Sequence, residues 1–74
     1  MDDILDILSN LHPEINVATH TALVDDGVLD SFDIVSIIAE VRERFDVTIT
    51  AGSILPEHFN SAQALYALVE ELLD

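Results

Sequence analysis

The amino-acid sequence predicts an all-α fold, a small bundle of helices in one domain, on three observations. At 74 residues the chain is near the lower size at which a single core can be buried without staples. Half of its residues are hydrophobic, the aromatics number only three Phe and one Tyr, and the apolar mass is Leu, Ile, Val and Ala. That mixture suits packed helices better than a barrel and argues against disorder. Three segments, finally, repeat apolar residues at helical spacing.

The first is Ile4, Ile7, Leu8 and Leu11, a short helix that ends near Leu11. Pro13 lacks an N–H and disfavours the helical conformation at His12, so the helix cannot run on. The second runs through Ile34, Ile37, Ile38, Val41 and Phe45. It is the best specified: Asp30 is a good N-cap, Asp33 falls at the third helical position near the positive end of the dipole, and Arg42 and Arg44 fall near the other end. The last holds Leu65, Leu68, Val69 and Leu72, with Asn60 or Ser61 as its cap. Between the second and last helices, Gly52 marks a turn and Pro56 suits the first position of a short helical turn, Pro56–Phe59.

The segment from His12 to Asp30 is the hard part, because a structureless connection of that length is uncommon unless it is functional. In the helical reading, Ile15, Val17, Leu23, Val24, Val28 and Leu29 pin it across the bundle. An α+β alternative pairs "INVATHT" with "VTIT" as two short strands; the helical reading is preferred. Residues 1–74 read as a single domain, with no repeat, low-complexity segment or linker.

A net charge of −13 repels phosphate backbones and anionic membranes, which excludes nucleic-acid binding. It attracts partners with basic docking patches and favours a monomer through self-repulsion. The chain has no cysteine, hence no disulfide, no thiolate metal site and no thiol nucleophile. "MDDILDIL" has no basic segment ahead of an apolar run, so a signal peptide is disfavoured, and no apolar stretch approaches a membrane span. Cytoplasmic residence is the expectation.

The stretch "VDDGVLDSFD" invites a calcium loop and fails on spacing. With Gly27 at the sixth position, the first and third positions are Ala22 and Val24, neither with a side-chain oxygen. A serine hydrolase lacks the nucleophile-elbow motif, and His12, His20 and His58 have no supporting pattern or metal-ligand spacing. A triad assembles in space, so sequence leaves it open, but so short a chain leaves little material for a substrate pocket. The histidines read as surface or loop residues.

Ser31 remains. The capping need is met one residue earlier by Asp30, which leaves Ser31 on the first helical turn with an exposed hydroxyl between two carboxylates. Alone it is a poor nucleophile, lacking a base. On the residues themselves, modification by another enzyme and an incidental surface serine stand level.

The stretch "DDGVLDSFDIVSIIAEVRERFDVTI", followed by "PEHFNSAQAL", resembles the core of the acyl and peptidyl carrier protein family. The resemblance is close over about two-thirds of the chain and extends to its length and helix order. It implies a four-helix bundle of acyl-carrier type, with three longer helices, a short third one and a long first loop. It implies that Ser31, in the triplet Asp30-Ser31-Phe32, carries a covalent 4′-phosphopantetheine arm from coenzyme A. The chain is then no enzyme but the substrate of a phosphopantetheinyl transferase, holding its cargo as a thioester on the arm.

Departures from the family pattern narrow the cargo. Phe32 replaces a leucine common in fatty-acid carriers, Ser36 stands where many have glutamate, and Arg42 and Arg44 bring positive charge to a helix that is usually acidic there. The "VLDSF" and "FNS" elements look more like the stand-alone aminoacyl carriers, the D-alanyl carriers among them. This implies an adenylating amino-acid ligase as loading partner and an aminoacyl transferase downstream. A fatty-acid or polyketide type of acyl carrier, with an acyl ligase and acyl transferase, is the alternative, and an unmodified acidic interaction module a further one. Helical geometry places Phe32, Val35, Ser36, Ala39 and Arg42 off the core face. With Asp30 and Asp33 they form the expected recognition surface, in which Phe32 and Val35 make a small apolar spot beside the serine.

Overall fold

The computed structural model describes residues 2–73. Four α-helices, α1 (Asp2–Leu11), α2 (Ser31–Phe45), α3 (Pro56–Phe59) and α4 (Ala62–Leu73), are joined by a long first loop and a short second one carrying a 3₁₀ turn, Ala51–Ser53. α1, α2 and α4 pack on one another, and α3 packs on α4. Among the described residues there is no strand, so the α+β alternative is wrong. "INVATHT" folds into turns, and "VTIT" forms no strand. Its alternate residues Val47 and Ile49 are buried in the helical core instead.

That core collects Ile4, Ile7 and Leu8 from α1, Ile37 and Val41 from α2, and Leu65, Leu68 and Val69 from α4, with Phe59 of α3 against them. Apolar periodicity located the residues from α1, α2 and α4, with shifts at the margins, but not Phe59. Ile34, Ile38 and Phe45 are only half-buried against the core, and the stripe of α4 gives out at Leu72, which is 36% exposed.

The first loop is built rather than slack. Val17, Leu23 and Leu29 are buried, and Ile15, Val24 and Val28 pack behind them, as the helical reading expects. Two successive turns, Asp26 N–H to Ala22 O at 2.8 Å and Gly27 N–H to Val24 O at 3.0 Å, reverse the chain. Gly27 takes φ +77° there, a conformation costly for any residue with a Cβ. Asn60 clamps the loop from across the bundle. Its Oδ1 accepts from Val24 N–H at 2.9 Å and Asp25 N–H at 3.1 Å, and its Nδ2 donates to Asp25 Oδ2 at 3.2 Å. Ser61 is therefore the cap of α4, its Oγ accepting from Ala64 N–H at 3.0 Å.

Arg44 bridges the acidic α1 and α2 at their surface. Arg44 donates to Asp6 Oδ2 at 2.9 Å, to Asp3 Oδ1 at 3.5 Å and, within its own helix, to Glu40 Oε2 at 3.2 Å. The C-terminus of α2 closes on Asp46 in the left-handed conformation, φ 56°, whose N–H bonds Arg42 O.

Candidate functional site

The start of α2 is fixed by a reciprocal pair of bonds. Asp30, extended at φ −103° and ψ −175°, accepts from Asp33 N–H at 2.9 Å through Oδ1. The Asp33 carboxylate reaches back to Asp30 N–H at 3.4 Å. This is a capping box in which a shorter aspartate replaces the usual glutamate. Asp33 has a second tie, to His12 Nε2 at 2.8 Å, from just beyond the end of α1. The other ring nitrogen of His12 lies 3.1 Å from Glu14 Oε1. These contacts raise the His12 pKa, the Asp33 hydrogen bond most, against the opposing effect of partial burial.

Ser31 is the first residue of α2 and is exposed. Cap duty falls to Asp30, and among the described residues the Ser31 hydroxyl has no hydrogen-bond partner. Phe32 and Val35 are 79% and 65% exposed, so Phe32 does not fold back onto the loop. Ala39 and Arg42 are exposed and Ser36 half-buried. Of the expected recognition residues, Phe32, Val35, Ala39 and Arg42 thus lie open beside Ser31 along α2, whereas Asp30 and Asp33 are engaged in the cap. Open grooves flank this helix. The one towards α1, about 320 Å³, is lined by Ile7, Asn10, Leu11, Ser36, Ala39 and Glu40. The other, about 590 Å³, includes Val35, Ile38, Ala39, Arg42, Glu43 and Asp46.

His12 is a loop histidine, as expected, lying just beyond α1, and its ring in addition reaches Asp33 at the start of α2. Nothing in the spacing signals a contact across twenty-one positions. Asn60 was likewise legible only as a possible cap. His12 does not convert Ser31 into a nucleophile, because carboxylates occupy both of its ring nitrogens, leaving none to take the hydroxyl proton. Among the described residues no three acids or histidines converge as a metal site, and no helix is long and apolar enough to cross a membrane.

An exposed serine at the capped start of α2 is open to an enzyme that approaches from solvent. Comparison with known proteins agrees. Residues 2–69 match the family described as "Phosphopantetheine attachment site", and the chain belongs to that family. It is 33% identical over 73 residues to the D-alanyl carrier protein of Streptococcus suis (strain 05ZYH33), covering 97% of this chain and 92% of that protein. The protein is therefore a non-catalytic carrier with covalent 4′-phosphopantetheine, and it works with partner enzymes. The group supplies a terminal thiol, which the cysteine-free chain itself lacks. The structure fits such a group, since a phosphate ester on a serine needs an oxygen open to a second enzyme, and the start of α2 offers one.

Proposed function

We propose that Ser31 is the attachment point, and that the chain carries an aminoacyl group as a thioester on the arm. The carrying observation is the free, exposed Ser31 hydroxyl at a helix start whose cap is supplied by Asp30. Ser9 is the other exposed serine, but it lies in the last turn of α1. A phosphodiester there meets the negative end of a helix dipole, whereas at Ser31 it meets the positive end. In the attachment step, Ser31 Oγ bonds to the phosphorus bearing pantetheine. The pyrophosphate bond of coenzyme A breaks, adenosine 3′,5′-bisphosphate leaves, and the hydroxyl proton passes to a base on the transferase.

An aminoacyl cargo is supported by the name of the Streptococcus relative and by Arg42, Phe32 and Ser36 on the outer side of α2. An adenylating amino-acid ligase then loads the thiol and a downstream transferase removes the cargo. Asp30, Phe32, Asp33, Val35, Ser36, Ala39 and Arg42 are the recognition residues, Asp33 by holding the helix start. Residues 1–74 act as one carrier domain, as a monomer, in the cytoplasm.

Incubation with coenzyme A and a broad-specificity phosphopantetheinyl transferase, followed by intact-mass measurement, tests the attachment. The expected gain is one phosphopantetheinyl unit, absent in Ser31→Ala. A gain that survives this substitution, or none in the parent chain, overturns the assignment. Offering the loaded arm to amino-acid and fatty-acid ligases in parallel decides the cargo.

A further inference from the structure

Four residues of α2 follow one ridge from the proposed attachment point. Ser31, Val35, Ile38 and Arg42 succeed one another at intervals of four, three and four residues, the spacing that keeps side chains on one helix face. Val35, Ile38 and Arg42 also line the larger groove, which continues to Glu43 and Asp46. A group anchored at Ser31 thus starts about one helical turn before Val35, the first residue of this groove, whereas Ser36 and Glu40, which line the groove towards α1, lie further around the helix.

Lengths agree. The rise of an α-helix puts Arg42 and Glu43 roughly 16–18 Å along the axis from Ser31. A phosphopantetheine arm has about 15 bonds from the serine oxygen to the sulfur, and the advance of an extended chain gives it a reach of about 18 Å. The chemistry at that depth is also distinctive. An aminoacyl thioester has a carbonyl oxygen that accepts hydrogen bonds and, next to it, an ammonium group. The groove ends in a guanidinium, Arg42, and two carboxylates, Glu43 and Asp46, after an apolar stretch at Val35, Ile38 and Ala39.

Arg42 is available for this. The other arginine, Arg44, is engaged by Asp3, Asp6 and Glu40, whereas Arg42 is exposed and has no ion-pair partner among the described residues. We propose that the groove running from Val35 to Asp46 is a resting subsite for the aminoacylated arm. Arg42 donates to the thioester carbonyl, and Glu43 and Asp46 hold the ammonium. This rests on the attachment and cargo proposed above.

The test uses the full, nitrogen-15-labelled chain. Its arm is installed from coenzyme A analogues with a stable amide in place of the thioester, capped either with alanyl or with propionyl, which lacks the ammonium. Alanyl is expected to shift the backbone amides of Arg42, Glu43 and Asp46 beyond what propionyl does, and Glu43→Gln with Asp46→Asn to abolish that excess. Both substitutions are at exposed positions, and an unchanged amide pattern in the core confirms the fold. Equal spectra for the two caps, or changes confined to the neighbourhood of Ser31, overturn the subsite while leaving attachment intact. Failure of the arm to appear on Ser31 by mass removes both readings.

Discussion

His12 Nε2 and Asp33 Oδ2 stand 2.8 Å apart, and through that contact the end of α1 steadies the first turn of the helix that begins with Ser31. Asp33 already belongs to the capping box, so one carboxylate serves two structures. The groups facing His12 are Asp33 and Glu14, and both favour its protonated form.

The pH dependence of stability follows with a definite sign. The His12 pKa is raised from its ordinary 6.5, so protonation is tighter in the folded state. Its contribution is complete below the unfolded value and disappears as pH rises through the higher folded one. Because fifteen Asp and Glu impose a pH dependence of their own, the useful quantity is the difference between the parent chain and His12→Gln. In urea titrations that gap should be at most about 1 kcal/mol near pH 5.5, since both side chains are partly exposed, and should shrink towards pH 8. A constant gap across this range would mean that His12 contributes by packing alone.

Asn60 ties the first loop to the far side of the bundle. Replacing it with Ala removes the acceptor for Val24 N–H and Asp25 N–H, and the first of these is partly buried. The expected cost is about 1–2 kcal/mol, with faster hydrogen exchange at Val24 and Asp25 and little change in α1. Asn60→Asp keeps the acceptor but sets a second carboxylate against Asp25, so its loss should ease as salt is added.

The sequence showed the helices because their apolar residues repeat at the period of the structure, and it showed the cap because Asp30 and Asp33 are three positions apart. Such signals are local. The contacts of His12 with Asp33 and of Asn60 with the loop join residues twenty-one and thirty-six positions apart, and neither residue type announces a distant partner. The long loop illustrates the same limit. Its six apolar residues pin it as the helical reading expects, while its β-branched run, locally compatible with a strand as well, folds into turns. Ser31 was conspicuous for the opposite reason, since the local rules left it without structural work.

That separation of duties gives a paired prediction. Asp30→Ala removes the side chain that accepts from Asp33 N–H and should cost about 1 kcal/mol. Ser31→Ala should change stability by no more than about 0.5 kcal/mol, as befits an exposed position with no bond to lose. Thermal unfolding of the two variants beside the parent checks both. If Ser31→Ala proves the more damaging, the serine has a structural role and its availability for modification loses its physical basis.

Phe32 tests the docking face. At 79% exposure its ring has little packing to lose, so Phe32→Ala should leave stability within about 0.5 kcal/mol of the parent. At an interface an aromatic anchor is worth more, commonly over 1 kcal/mol. The loading ligase should therefore show about a ten-fold higher KM for the Phe32→Ala carrier. Its kcat should be nearly unchanged, because the ring binds the enzyme equally in ground and transition states. Val35→Ala, a smaller apolar loss on the same exposed ridge, should give a weaker effect in the same direction. Arg42→Glu separates charge from contact area, and its penalty should depend on salt where that of Phe32→Ala does not. Should KM stay unchanged for Phe32→Ala with the ligase, the transferase and the downstream enzyme alike, the partners dock elsewhere, and the exposed ring has no explanation in the carrier's work.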